Sequence, residues 1–156
     1  MNELTETRKD ELTTRSNILH FEELLRECPG SWEGDNQEIA PLTHEFPPGL
    51  YVRTIRIPAG MVCTGKLHRH EHPNILQSGT VEVVTESGGV EMLTGPLFMI
   101  SKGLTKRALV AHTDLVWTTI HANPTNSKDL AFLEKQVIIE DLTEYKEEIT
   151  KCLSQQ

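Results

Sequence analysis

The sequence predicts a mainly β domain, a small barrel or jelly roll of roughly eight short strands, preceded by a short helix and followed by helices. Two observations carry that expectation. Between residues 38 and 124 the apolar residues fall in short runs: LYVRTIRI, NILQSG, TVEVVTE, VEMLTG, PLFMIS, KRALVA and LVWTTIHA. Pro, Gly, Asn and Asp break them up, a texture of strands and turns. On either side of this stretch the apolar spacing becomes helical.

Residues 1 to about 17 are polar and charged and are expected to fray. Ile18, Leu19, Phe21, Leu24 and Leu25 then recur at helical spacing and stop before Cys28-Pro29-Gly30, which ends a short amphipathic helix. Residues 1–37 are therefore assigned to a polar N-terminal segment with that helix. Within the β region, residues 38–124, Ser87-Gly88-Gly89 between two strand-like runs reads as a hairpin turn. After Asn123-Pro124 the helical pattern returns in Leu130, Phe132, Leu133 and Val137. It continues in Leu142, Tyr145, Ile149 and Leu153, with Glu144, Glu147 and Glu148 outward. This tail, residues 125–156, is expected to pack on the barrel or on a second subunit.

At 156 residues the chain fits one domain with one core. The balance of 37% hydrophobic and 24% charged residues is that of an ordinary soluble protein. A formal charge of -8 argues against a nucleic-acid polymer or an anionic membrane as partner. Any anionic ligand must then be held by a local cluster. No apolar run reaches the roughly 18 residues of a membrane span, and MNELTETRKDELTT lacks a secretory apolar region, so a cytoplasmic location is expected. Cys28, Cys63 and Cys152 are too widely spaced for a zinc knuckle and read as reduced thiols. Sheet edges and apolar helix stripes give the expectation of a homo-oligomer.

The segment GKLHRHEHPNILQSG, residues 65–79, sets His68, His70 and His72 at alternate positions. If its strand is continuous, Lys66 and all three histidines share one face. Neutral imidazole ligates divalent transition metals, so this face can carry a metal centre, completed from later strands by His112 or His121. Lysines work against a cation by like-charge repulsion. The same residues can instead form an anion pocket, with Lys66, Lys106, His68 and His72 as its base and Arg107 or Arg69 at its rim. Asn74 and Gln77 would add directional hydrogen bonds, and Trp117 a stacking face or a piece of core. His20 and His44 receive no role. His72 or Glu71 could serve as a general base.

With Gly60, Gly79, Gly95 and Gly103 in register, the chain resembles the cupin superfamily, whose motifs read G-x5-H-x-H-x3-E-x6-G and G-x5-P-x-G-x2-H-x3-N. Laid on them without gaps, the sequence gives Gly60, Lys66, His68, His72 and Gly79, then Gly95, Ser101, Gly103, Lys106 and Val110. The resemblance implies a cupin-type barrel. Of the four positions that hold metal in typical members, His68 alone is unchanged; His72 replaces the glutamate, and Lys66 and Lys106 replace histidines. PPGLYVRTIRIPAG, GKLHRHEHPNIL and TKRALVAHTDLVWTTIHANPT are also similar to small cupin-like proteins of tailed phages. That resemblance implies a viral protein in the host bacterial cytoplasm and names no substrate.

Three function classes stay open. The first, slightly favoured, is a binding protein for a small anionic, phosphorylated or nucleotide-like ligand held by Lys66, His68, His70, His72, Asn74, Lys106, Arg107, His112, Trp117 and His121, sequestering an antiviral signalling nucleotide without a cofactor. The second is a metal-dependent oxygenase, isomerase or hydrolase with a divalent transition metal on His68 and His72. The third is a structural phage component.

Overall fold

The computed structural model describes the backbone of residues 3–86 and 89–140, with side chains from residue 14 onward. Helix α1 spans Glu3–Glu27. Ten strands follow: β1 Leu42–Glu45, β2 Leu50–Ile57, β3 Val62–Thr64, β4 Leu67–His68, β5 His72–Ser78, β6 Thr80–Thr85, β7 Gly89–Thr94, β8 Leu97–Ser101, β9 Arg107–Ala111 and β10 Leu115–Ala122. Helix α2, Leu130–Val137, and strand β11, Ile138–Ile139, complete the described chain.

All pairings are antiparallel. One sheet has the order β1-β2-β10-β5-β8 and a second the order β3-β9-β6-β7, while β11 and β4 form a two-stranded ladder. Period-two alternation fixes which side chains face in. Along β5, His72, Asn74 and Leu76 are buried, and along β6 Val81 and Val83 are buried. The inward residues of the two sheets meet in a core of Ile57, Leu76, Val81, Val83, Ala111, Leu115 and Trp117. The mainly β expectation holds, and each of the seven quoted runs contributes a strand.

The glycines hold the turns close. Gly79 sits at φ +96°, and a Cβ there would lie 2.3 Å from the carbonyl oxygen of Asp114, so the turn after β5 admits no side chain. The hairpin between β6 and β7 is present, with Thr85 opposite Gly89; Ser87 and Gly88 lie outside the described residues.

The N-terminal helix differs from expectation. It is 25 residues long and begins at Glu3, so the stretch expected to fray is helical. Its Glu, Leu, Lys and Arg content carries good intrinsic helix propensity without an apolar stripe, which a search for periodicity overlooks. The helix is tied to the four-stranded sheet through Glu22, which accepts from Thr64 Oγ1 at 2.7 Å and from Lys106 Nζ at 2.8 Å. No described helix is long and apolar enough to cross a membrane.

The described part of the tail, residues 125–140, packs on the barrel. Asp129 caps α2 by accepting from the backbone N–H groups of Ala131 and Phe132. Leu133 and Val137 are buried, and β11 then pairs with β4. The second helical stretch expected around Leu142, Tyr145, Ile149 and Leu153 lies outside the described residues, as does Cys152. Cys28 and Cys63 are free thiols, and burial pushes Cys63 up to about 11, which keeps it protonated at neutral pH.

Candidate metal centre

Three strands bring one histidine each to the barrel interior. The segment around the histidines is not one continuous strand: β4 ends at His68, residues 69–71 bend, and β5 starts at His72. The bend is held by the loop after β8. Leu104 N–H donates to the His68 carbonyl at 2.7 Å, and a Cβ on Gly103 would stand 2.8 Å from the Arg69 carbonyl oxygen. This break undoes the simple alternation. His68 and His72 converge on each other, while His70 is exposed. His121 joins them from β10, where it lies across from Tyr51 of β2.

One potential ligand nitrogen from each of His68, His72 and His121 lies within 4.8 Å of the others. The ring centroids are 4.3 Å apart for His68 and His72, 4.6 Å for His72 and His121, and 5.1 Å for His68 and His121. His72 and His121 are buried. Among the described residues no other group of three histidine, cysteine or acidic side chains meets in this way.

The electrostatics favour neutral rings. Burial, followed by the charges of His72, His121, Arg53 and Arg107, pushes His68 down to about 2. Burial, followed by His72, Arg53 and His70, pushes His121 down to about 3. Burial also lowers His72, helped by Arg107 and opposed by its hydrogen bond to the His70 carbonyl. That bond fixes a tautomer: Nδ1 lies 2.9 Å from a carbonyl oxygen that only accepts, so Nδ1 carries the proton and Nε2 keeps its lone pair. A backbone carbonyl orienting a ligating imidazole is a common support in metal sites.

Three neutral imidazoles suit a divalent transition metal. Two nitrogens each about 2.0–2.1 Å from zinc are at most about 4.2 Å apart, so small side-chain rotations close the remaining distance. The residues present therefore fit a metal held by His68, His72 and His121.

The remaining residues expected at the site separate into two groups. Lys66 pairs with Glu134 at the surface, and Lys106 is buried against Glu22 and the Gly65 carbonyl. Both lysines are taken by helix acids instead of joining the histidines: α2 supplies Glu134 for Lys66, which precedes β4, and α1 supplies Glu22 for Lys106. His112 is exposed beside Glu82, Arg69 donates to the Ile138 carbonyl, and Gln77 donates to Thr118. Trp117 is core: it is 7% exposed, and its indole N–H donates to Asn74 Oδ1 at 3.1 Å. Asn74 in turn donates to Ser101 Oγ at 2.5 Å, so its amide is engaged in a buried network. Arg107 does turn inward, donating to that same Ser101 hydroxyl. Burial lowers its guanidinium below the ordinary value, against the pull of Glu91.

Sequence reasoning missed part of the wall. Tyr51, buried, stacks on His44 and Phe46 and tilts against His121, with its hydroxyl 2.9 Å from His44 Nδ1. Arg53 lies across β10 from Thr119 and pairs with Asp35 at 3.0 Å. Alternation in LYVRTIRI does put Tyr51 and Arg53 on one face, but no local signal shows that this face borders the histidines.

No family model and no curated protein matches the chain. Solved structures do match its shape. A glycine-to-alanine mutant of the salicylate 1,2-dioxygenase of Pseudoaminobacter salicylatoxidans aligns over 79% of this chain and 35% of its own, with a TM-score of 0.52 and 13% identity. KdgF from Halomonas sp. covers 58% of this chain and 84% of its own, at 0.47 and 18%. A cupin superfamily protein of Desulfitobacterium hafniense covers 58% and 83%, at 0.47 and 5%. The fold is a small cupin barrel. At such identities the likeness concerns the fold alone. Of the three histidines, His68 and His72 lie in the stretch that resembles the first motif, and His121 lies outside both motifs.

Proposed function

We propose that the protein is a metal-dependent cupin that holds one divalent transition metal on His68, His72 and His121 and uses it on a small molecule inside the barrel. One observation carries this reading: one ring nitrogen from each of three buried or half-buried histidines lies within 4.8 Å of the others, and burial favours the neutral form of all three rings. A metal there would supply Lewis-acid polarisation or activation of bound water. The chain's own part is to orient the His72 ring through the His70 carbonyl and to wall the site with Tyr51 and the buried Asn74–Ser101 network. The matching salicylate 1,2-dioxygenase forms adducts with gentisate, which supports a small organic molecule as the substrate here.

The metal-free nucleotide pocket draws less support. It needs Lys66 and Lys106 beside the histidines, and these lysines pair with Glu134 and Glu22 instead. The resemblance of the sequence to tailed-phage proteins supports placing the centre in the cytoplasm of an infected bacterium.

Calorimetric titration of untagged, chelator-stripped protein with zinc or cobalt at pH 7.5 tests the proposal. We expect one site per chain, on the order of one equivalent, with little proton release because the rings start neutral. Binding that needs none of the three histidines, or no binding at all, would overturn it.

A further inference from the structure

Among the described residues, the site has a positive side with no acid in contact with it at Arg107. Its three candidate ligands are neutral imidazoles, so a divalent ion there would keep its full charge. Arg107 adds another. It lies on β9 on the same face as the core residues Leu109 and Ala111, and its guanidinium reaches across the barrel to Ser101 Oγ. Ser101 is 2% exposed and stands directly opposite His72 in the β5–β8 ladder. The guanidinium therefore ends beside the histidine cluster.

Among the described residues the Arg107 guanidinium has no carboxylate in ion-pair contact, and its one side-chain hydrogen bond goes to a neutral hydroxyl. Glu91, on the edge strand β7 of the same sheet, acts on it only at a distance. Arg53, the other arginine on the inner face, is already held by Asp35. The half-buried guanidinium offers five donors in a planar fork, and those that Ser101 does not take stay accessible to an arriving acceptor. An arriving anion would satisfy both the fork and the ion.

We infer that the barrel takes a small carboxylate, gripped by the Arg107 fork next to the trihistidine centre. The inference rests on the metal-centre reading for the uncompensated charge of the ion. A planar carboxylate fits better than a phosphate. One fork matches a carboxylate through two parallel hydrogen bonds. The lysines that could help surround a tetrahedral anion are committed to Glu134 and Glu22. Inward Leu97 and Met99 give the ligand's remainder an apolar neighbour.

Calorimetry with acetate, lactate and benzoate, and with inorganic phosphate for comparison, tests this on untagged wild type, Arg107→Met and Arg107→Lys, with metal content measured on each sample. We expect at least one carboxylate to bind wild type. Binding should weaken about tenfold in R107M and measurably in R107K, which keeps the charge but loses the fork, with metal content unchanged. R107K decides the matter if R107M does not fold. No carboxylate binding to wild type, equal binding by the variants, or tighter binding of phosphate than of every carboxylate would overturn the inference. Metal-free wild type with Arg107-dependent carboxylate binding would instead overturn the metal reading and leave the carboxylate grip standing.

Discussion

Ile138 stands opposite His68 in the two-stranded ladder beside the barrel, so a residue from beyond the last barrel strand sets the backbone of a candidate metal ligand. The Arg69 N–H donates to the Val137 carbonyl at 2.8 Å, and the Arg69 side chain donates to the Ile138 carbonyl at 3.0 Å. The C-terminal strap thereby holds both ends of the β4 exit.

Weakening the strap should loosen the centre. Ile138 and Ile139 are 8% and 5% exposed. Truncating either to alanine is expected to cost about 2–5 kcal/mol of stability. Metal affinity should fall at temperatures where circular dichroism still reports a folded barrel. Unchanged affinity in folded Ile138→Ala would separate the strap from the site.

Gly103 and Gly60 should respond differently to alanine. At Gly103 the new methyl would collide with the Arg69 carbonyl and push the bend between His68 and His72 outward, costing about 1–3 kcal/mol and lowering metal affinity. Gly60 sits at φ +82° with open space around it, so alanine there costs about 1–2 kcal/mol in backbone strain. Metal titration of both variants checks that only Gly103→Ala affects the site.

The buried histidines make the metal-free protein acid-sensitive. Folded His68 and His121 titrate near 2 and 3, depressed by burial and neighbouring charge, against about 6.5 in the unfolded chain. Above that value both states are neutral and the contribution is complete. As pH falls below it, the unfolded chain takes up protons that the fold excludes. Stability should then drop by up to about 1.4 kcal/mol per pH unit for each histidine until the folded values are reached. Denaturant midpoints between pH 7.5 and 4.5 measure this, and folded His68→Ala should give a shallower slope.

The two lysines should behave as structural residues. Lys106 is 8% exposed, and Glu22→Ala leaves its charge uncompensated, at a cost of about 3–5 kcal/mol. Lys66 and Glu134 are both more than 40% exposed, so Lys66→Ala should change stability by about 0–1 kcal/mol. Folded Lys66→Ala and Lys106→Met should keep wild-type metal affinity. A loss of small-molecule binding in either would return the lysines to the pocket.

The barrel was legible because its strands and turns are local signals: alternation in TVEVVTE and LVWTTIHA, and glycine at 60 and 79 where the chain needs positive φ. The very short strands β4 and β11 were not, since two residues carry no period and their pairing spans about half the chain. His68 and His72 stood out in sequence by crowding. His121 was one of two candidates, and only the β10 register chooses it over His112. The placement of Lys66 and Lys106 depended on acids from α1 and α2, which motif spacing cannot reveal.

The most direct measurement is elemental analysis of untagged protein alongside His68→Ala, His72→Ala, His121→Ala and the exposed control His70→Ala. We expect about one transition-metal ion per chain in wild type and His70→Ala, and loss from each of the other three. Metal retained in His121→Ala, or absent from wild type after growth in supplemented medium, would contradict the trihistidine centre.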